Sequence, residues 1–136
     1  MNFVLDASFA LKWAFGDEAT PAADAVLLRL RDGEAAAVAP NWHQEVLEGL
    51  LSGLRRGRIA EADASAFLGM LDTLEIGAVA LHPLAGSSTW LLAREHRLSA
   101  YDAGCLALCV RFGLPLAADD GPLRDAAKAR HLKLLS

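Results

Sequence analysis

The sequence of 136 residues has only two cysteines, so a disulfide framework is excluded by count. No apolar run reaches the roughly 18 residues that a membrane-spanning helix needs. The first residues, MNFVLDASFALKWAF, lack the basic segment that is typical of a signal peptide. Basic residues are not in surplus, since 13 Lys and Arg stand against 17 Asp and Glu. These absences favour a cytoplasmic protein without a membrane partner, and the net charge by itself does not indicate nucleic-acid binding.

Apolar residues, by contrast, are abundant. They make up 54% of the chain, and the mean hydropathy is +0.27. Without a spanning segment, this surplus indicates strands that are buried on both faces, or an interface. Neither a repeat nor a long linker divides the chain, and its length suits one domain over residues 1–136.

Short apolar runs alternate with helical patterns along the whole chain. The predicted strands are residues 2–6, 35–39, 76–83 and 114–119, with 131–135 as a candidate fifth. The predicted helices are residues 8–15, 21–32, 42–57, 60–74, 87–97, 100–113 and 122–130. This alternation predicts an α/β fold with a central parallel sheet of four to five strands and helices on both faces.

Several acids fall where the strands of such a sheet end. Asp6 ends the first strand, Asp119 and Asp120 end the fourth, and Asp102 begins the helix before it. Ligands of open parallel sheets bind at the carboxyl ends of the strands, so these acids converge if the first and fourth strands are neighbours. Each acid also has a structural alternative as a helix cap, and Ser99 with Asp102 has the spacing of a capping box.

Glu45 borders the apolar stripe of the third predicted helix, on the side of Gly49 and Gly53. Small neighbours would let another element approach and leave the carboxylate near a packed surface; the alternative is a solvated acid at the stripe edge. His43 lies on the stripe and is interpreted as a core histidine rather than a catalytic one. The stripe consists of Trp42, Val46, Leu47, Leu50, Leu51 and Leu54.

Clustered carboxylates are unfavourable unless one takes a proton or a cation binds among them. Their hard oxygen atoms suit Mg²⁺, with Mn²⁺ as a substitute, and such ions activate water for phosphodiester hydrolysis. Cys105 and Cys109 have helical spacing, and the sequence offers no second Cys or His pair to complete a metal site with them. They are therefore interpreted as buried helix residues.

Three stretches together resemble the PIN-domain ribonucleases, and more narrowly the VapC-type toxins of bacterial toxin–antitoxin pairs. They are FVLDAS, HQEVLEGL and LSAYDAGCLALCVRFGLPLAADDGPLRDAA. The resemblance extends over nearly the whole chain in length, element order and acid placement. It implies a single PIN domain, with Asp6, Glu45, Asp102 and Asp120 as the catalytic acids. In such proteins these acids bind one or two divalent ions, and the activated water cleaves single-stranded or looped RNA.

The same resemblance matches Ser8 to a small hydroxyl residue that helps in the metal site or supports it. The chain departs from the family in AADD, where Ala118 replaces a frequent Ser or Thr and Asp119 is an additional acid. Asp119 is then either an auxiliary ligand or a solvated neighbour. Because His and Lys are not predicted to stand among the acids, the metal rather than a side-chain base would generate the nucleophile.

The resemblance further implies a homodimer and a cognate antitoxin whose tail fills the active groove. The alternative is a non-catalytic PIN fold that serves as a binding or regulatory module. Trp13 and Phe15 are interpreted either as interface anchors or as core. The candidate basic contacts to RNA or a partner are Arg55, Arg56, Arg58, Lys12, Arg94 and Arg97, although arginine near a helix end also stabilises the helix.

Overall fold

The computed structural model describes residues 1–81, 88–119 and 121–135. In this part of the chain there are four strands, which are β1 (Phe3–Leu5), β2 (Ala36–Val38), β3 (Ile76–Ala78) and β4 (Leu116–Ala117). The helices are α1 (Ala7–Leu11), α2 (Pro21–Arg31), α3 (Trp42–Arg55), α4 (Glu61–Leu71), α5 (Ser88–His96), α6 (Ala100–Phe112) and α7 (Pro122–Ala129). A 3₁₀ turn, Gly16–Glu18, precedes α2. No helix of the described ranges has the length and apolarity to cross a membrane.

The four strands form one parallel sheet in the order β3-β2-β1-β4. The predicted α/β fold is therefore confirmed. The candidate fifth strand contributes a single parallel bridge between Leu116 and Leu134. Two hydrogen bonds flank that bridge, from the Leu116 amide to the Lys133 carbonyl and from the Leu135 amide to the Leu116 carbonyl, each 2.9 Å long.

Helices cover both faces of the sheet, which explains why its strands are continuous apolar runs. Alternate residues of a strand point to opposite faces. Phe3 and Leu5 pack into a cluster with residues of α1 to α4, while Val4 packs into a second cluster with residues of α5 to α7. All three side chains are fully buried. The sheet thus separates two apolar cores.

Helix α1 is shorter than predicted, because the chain tightens into turns after Leu11. The amides of Lys12 and Trp13 bond to carbonyls three residues earlier, and the Trp13 indole N–H donates to the Ala23 carbonyl at 2.8 Å. This bond ties the turn to α2. Phe15 is buried, and Trp13 packs against the same cluster. The core interpretation of these two aromatics is therefore the one that the structure supports.

Helices α1 and α3 approach closely because α3 carries glycine at the contact. A Cβ atom at Gly53 would lie 2.6 Å from both Cε1 and Cζ of the Phe15 ring. One at Gly49 would lie 2.4 Å from Leu11 Cδ1. The guanidinium of Arg58 lies 4.4 Å from the centre of the Phe15 ring and helps to fix it in place. The predicted close approach at these glycines is confirmed.

We expect Gly53→Ala to destabilise the protein, because the buried Phe15 ring cannot move aside as a flexible chain end would. Overpacking of this kind costs about 1–3 kcal/mol, against a gain of about 1 kcal/mol in helix propensity. The matched control is Gly69→Ala in α4, where nothing among the described residues lies within 4 Å of the added Cβ. Urea unfolding should show that the control is slightly stabilised and that Gly53→Ala is weakened. Equal stability of the two variants would contradict the packing argument.

Candidate active site

The carboxyl ends of β1 and β4 meet at one edge of the sheet, as the sequence argument required. The Asp6 amide donates to the Ala117 carbonyl at 3.0 Å, which fixes the end of β1 against the end of β4. Asp6 follows β1 directly, and Asp119 lies two residues beyond β4. Asp120, the fourth predicted catalytic acid, lies outside the described residues.

Asp6 occupies the N-cap position of α1, but its carboxylate is turned to other side chains. Its Oδ2 accepts a hydrogen bond from the Ser8 hydroxyl, and its Oδ1 accepts one from the Cys105 thiol at 3.8 Å. Burial raises the pKa of Asp6, the charge of Asp119 raises it further, and the two side-chain hydrogen bonds act against that increase. The alternative of Asp6 as a helix cap is therefore not what the structure shows. Ser8 supports Asp6 directly.

Glu45 and Asp102 lie close enough to Asp6 to repel it. Glu45, in the first turn of α3, accepts a hydrogen bond from the side-chain amide of Asn41, whose Nδ2 lies 2.7 Å from Glu45 Oε1. Its pKa is raised by burial and then by the charges of Asp6 and Asp102. The pKa of Asp102 is raised by burial and then by Asp6. We call Asp6, Glu45 and Asp102 the carboxylate cluster; the solvated alternative for Glu45 is wrong, since its side chain is half-buried beside two acids.

Asp102 combines both of the roles that the sequence left open. Its backbone amide donates to the Ser99 hydroxyl at 3.1 Å, so Ser99 caps α6 as predicted. Its side chain belongs to the carboxylate cluster. The two interpretations are compatible because the cap uses backbone atoms of Asp102 and the cluster uses its carboxylate.

The two cysteines are buried in α6, as predicted. The contact of Cys105 with Asp6 was missed, although Cys105 lies three residues after Asp102 and therefore on the same face of the helix. Burial and then the Asp6 charge raise the pKa of the Cys105 thiol well above its usual range, and burial raises the pKa of Cys109 to about 12. Both thiols are therefore protonated at neutral pH, and Cys105 acts as a weak hydrogen-bond donor.

Lys12, one of the candidate basic residues, lies beside the additional acid Asp119. Lys12 Nζ lies 2.8 Å from Asp119 Oδ1, and the two side chains are 18% and 36% exposed. Because α1 begins immediately after Asp6 and is short, its end stays near the carboxyl edge of the sheet. Asp119 is thus ion-paired with Lys12. Neither of its two predicted roles, auxiliary ligand or solvated neighbour, included this partner.

Other predictions for α3 need correction. His43 is exposed and makes an edge-to-face contact with Trp42, with the ring centres 5.0 Å apart, so the interpretation as a core histidine is wrong. Leu47 and Leu51 are 45% and 48% exposed, so the buried face is narrower than the predicted stripe. The sheet and α1 cover only one side of α3. His43 and Leu47 instead line a cleft of about 400 Å³ between α3, α4 and β3.

The basic cluster at the other end of α3 is largely engaged by acids. Arg55 donates to Glu48 at 2.9 Å. Arg58 donates to both oxygens of Asp17 at 3.0 and 3.1 Å and to Glu18 at 3.1 Å. Two of the three arginines therefore have structural roles, and the cluster is separated from Glu45 by the length of α3.

The donor chemistry of the carboxylate cluster fits a hard divalent ion, because it offers several anionic oxygen atoms and excess negative charge. Within residues 1–81, 88–119 and 121–135, however, no three His, Cys, Asp or Glu side chains are placed to hold a metal ion together. The described acids thus form an electrostatic cluster rather than a closed ligand set.

The sequence matches no family model and no curated protein. Among solved structures, it is similar to the crystal structure of PAE2754 from Pyrobaculum aerophilum. The TM-score is 0.71 at 22% sequence identity, over 93% of this chain and 84% of that chain. At this identity the similarity establishes the fold alone.

We expect Glu45→Gln to stabilise the protein at neutral pH. Glutamine keeps an oxygen that accepts the Asn41 bond and removes one charge from the cluster. Since the folded state raises the pKa of Glu45 above its ordinary 4.5, the folded protein binds protons more tightly than the unfolded chain. Stability therefore falls as the pH rises from the pKa of Glu45 in the unfolded chain to its higher pKa in the folded protein. The variant should gain about 0.5 kcal/mol near pH 7 at low salt, the order expected for partly exposed charges.

The control is Glu48→Gln, the same substitution three residues further along α3 at an exposed glutamate that pairs with Arg55. Urea unfolding between pH 4 and pH 8 should show a gain for Glu45→Gln that shrinks towards pH 4. Glu48→Gln should show no such gain. If the two variants behaved alike at neutral pH, repulsion within the cluster would not be the cause.

Proposed function

We propose that this protein is a metal-dependent endoribonuclease of the PIN-domain type, a VapC-like toxin that hydrolyses RNA phosphodiester bonds. The observation that carries the proposal is the carboxylate cluster. Three acids, from the end of β1, from α3 and from α6, lie close together: the charge of Asp6 raises the pKa of both Glu45 and Asp102, and the charge of Asp102 raises the pKa of Glu45 further. Such repulsion is relieved by a bound cation. The motifs that resemble PIN-domain ribonucleases include each of these three residues.

In this proposal Asp6, Asp102 and Asp120 hold Mg²⁺ or Mn²⁺, and Glu45 binds the ion directly or through water. Bound Mg²⁺ lowers the pKa of water and neutralises charge on the phosphate. Asp119 is an auxiliary acid whose charge already reaches Asp6.

The neighbouring side chains orient the acids before any ligand binds. Ser8 and Cys105 donate to different oxygens of Asp6, and Asn41 donates to Glu45. Donors behind a ligating carboxylate fix its direction, and losing one typically costs 10-fold to 100-fold in metal affinity or activity. We therefore assign Ser8, Cys105 and Asn41 to positioning rather than to the chemical step.

The proposal includes a homodimer, a cognate antitoxin and a cytoplasmic location. Exposed apolar surface on α3, at Leu47 and Leu51, adjoins the cleft of about 400 Å³ between α3, α4 and β3. Apolar patches next to a groove are typical of protein contacts. These features support a protein partner.

Cleavage of a mixed RNA pool by purified protein tests the enzyme. We expect defined cleavage products with Mg²⁺ or Mn²⁺ and none with EDTA. Asp6→Asn and Asp102→Asn should each lower the rate by about 100-fold or more, as for residues that hold or orient a metal. Asp24→Asn, at an exposed acid in the first turn of α2, serves as the control and should keep the parental rate.

Cleavage that persists in EDTA or in both cluster variants would contradict the metal site. A folded protein that cuts no RNA with either ion, and that shows no Mn²⁺ binding by calorimetry, would indicate the non-catalytic binding module instead.

A further inference from the structure

A second cleft, of about 180 Å³, opens beside the carboxylate cluster. Two cationic side chains, Lys12 and Arg124, line it together with the Thr20 hydroxyl and the Asp119 carboxylate. Phe9 contributes apolar wall. We call this space the Lys12 cleft. Among the described residues, this lining brings two cationic side chains and one carboxylate together next to an anionic site.

The Lys12 cleft adjoins the carboxylate cluster through Asp119. This residue lines the cleft, pairs with Lys12, and is close enough to Asp6 for its charge to act on that carboxyl group. Ala118, which follows β4, lies in the same wall, and its carbonyl accepts a bond from Arg124 Nη1 at 3.5 Å. The cleft and the carboxylate cluster are therefore immediate neighbours at this edge of the sheet.

We propose that the Lys12 cleft binds a backbone phosphate of the nucleic-acid strand, next to the phosphate at the carboxylate cluster. The inference rests on the proposed function and names a substrate contact that the acids alone do not supply. Lys12 is the principal ligand, Arg124 contributes to the wall of the same cleft, and Asp119 holds the Lys12 ammonium until the phosphate replaces it.

The chemistry of each lining group suits a phosphate. The lysine ammonium is a compact point charge with three donors and can exchange one anionic partner for another. The Thr20 oxygen already accepts the Ala23 amide at 3.1 Å, which leaves its hydroxyl hydrogen to donate. Thr20 also caps α2, whose N-terminal end favours an anion.

The degree of exposure distinguishes this pair from an ordinary surface ion pair. The side chain of Lys12 is 18% exposed, so most of it is packed against the protein. Asp119 is twice as exposed, at 36%, and is the member that an incoming anion can displace. Substitutions of Lys12 and of Asp119 should therefore change the affinity for an anion in opposite directions. Substitutions in a purely structural ion pair would change only the stability of the protein.

The test measures binding of a short single-stranded RNA with 2′-O-methyl groups, which resist cleavage, by fluorescence anisotropy in EDTA. Lys12→Gln should weaken binding by about tenfold, the order for one charge-assisted contact. It should also reduce the slope of log K against log salt by about 0.7, the value for one single-strand phosphate. Asp119→Asn should instead tighten binding by about threefold, since a competing carboxylate is removed.

The matched control is Lys133→Gln, which removes the same charge from an exposed lysine. The Lys133 carbonyl accepts the Leu116 amide at the start of β4, so this residue lies at the opposite edge of the sheet. Its affinity and salt slope should equal those of the parent. Lys12→Arg keeps the charge and should retain most of the affinity, and it remains informative if Lys12→Gln folds poorly in a thermal melt.

Weaker binding in both Lys12→Gln and Asp119→Asn, or an unchanged salt slope in Lys12→Gln, would overturn the inference. Because EDTA is present, binding is scored apart from cleavage. Opposite shifts in a protein that cuts no RNA would support the Lys12 cleft and reject the nuclease. Cleavage without these shifts would support the nuclease and reject the cleft.

Discussion

The pairing of β1 with β4 is the contact on which the acidic site depends. The amides of Val4 and Asp6 donate to the carbonyls of Pro115 and Ala117 at 2.9 and 3.0 Å, which brings residues from the two ends of the chain to one edge. The register is tightly specified because both faces of β1 are buried. A slip by one residue would exchange the side chains of the two cores and withdraw Asp6 from the edge.

The site gathers negative charge where the fold does not neutralise it. Within the described ranges, Lys12 pairs with Asp119, while the neutral groups of Ser8 and Cys105 donate to Asp6 and that of Asn41 donates to Glu45. Neutral donors orient carboxylates without cancelling their charge, so the pKa of each stays raised. An arrangement that lowers the stability of the protein but fixes the orientation of its carboxylates is typical of a binding site rather than of a structural network.

Helix α1 connects the core to the site. Its Leu11 side chain packs against Gly49 of α3, and Lys12 follows at its end beside Asp119. Because α1 has only five residues, the strand that ends in Asp6 and the turn that carries Lys12 stay close together. The indole bond of Trp13 to the Ala23 carbonyl accompanies this early end.

The sequence by itself determined the alternation of strands and helices, the parallel sheet, the Ser99 cap, the buried cysteines and the glycine contact on α3. These features depend on local chemistry and on periodicity, both of which are visible along the chain. It also named the acids at the sheet edge, and Asp120 stays a prediction from the sequence.

Only the tertiary structure decided which side chains meet. The Lys12 pair with Asp119, the Cys105 contact with Asp6 and the exposure of His43 each depend on how distant elements are placed. Periodicity assigns a residue to a face of its own helix, but it does not say what covers that face. For α3 the flank with His43 and Leu47 lines a cleft, and the turn after α1 donates a hydrogen bond from Trp13 to a carbonyl of α2. Pairing across the fold is fixed by sheet register and helix packing, which a local pattern does not contain.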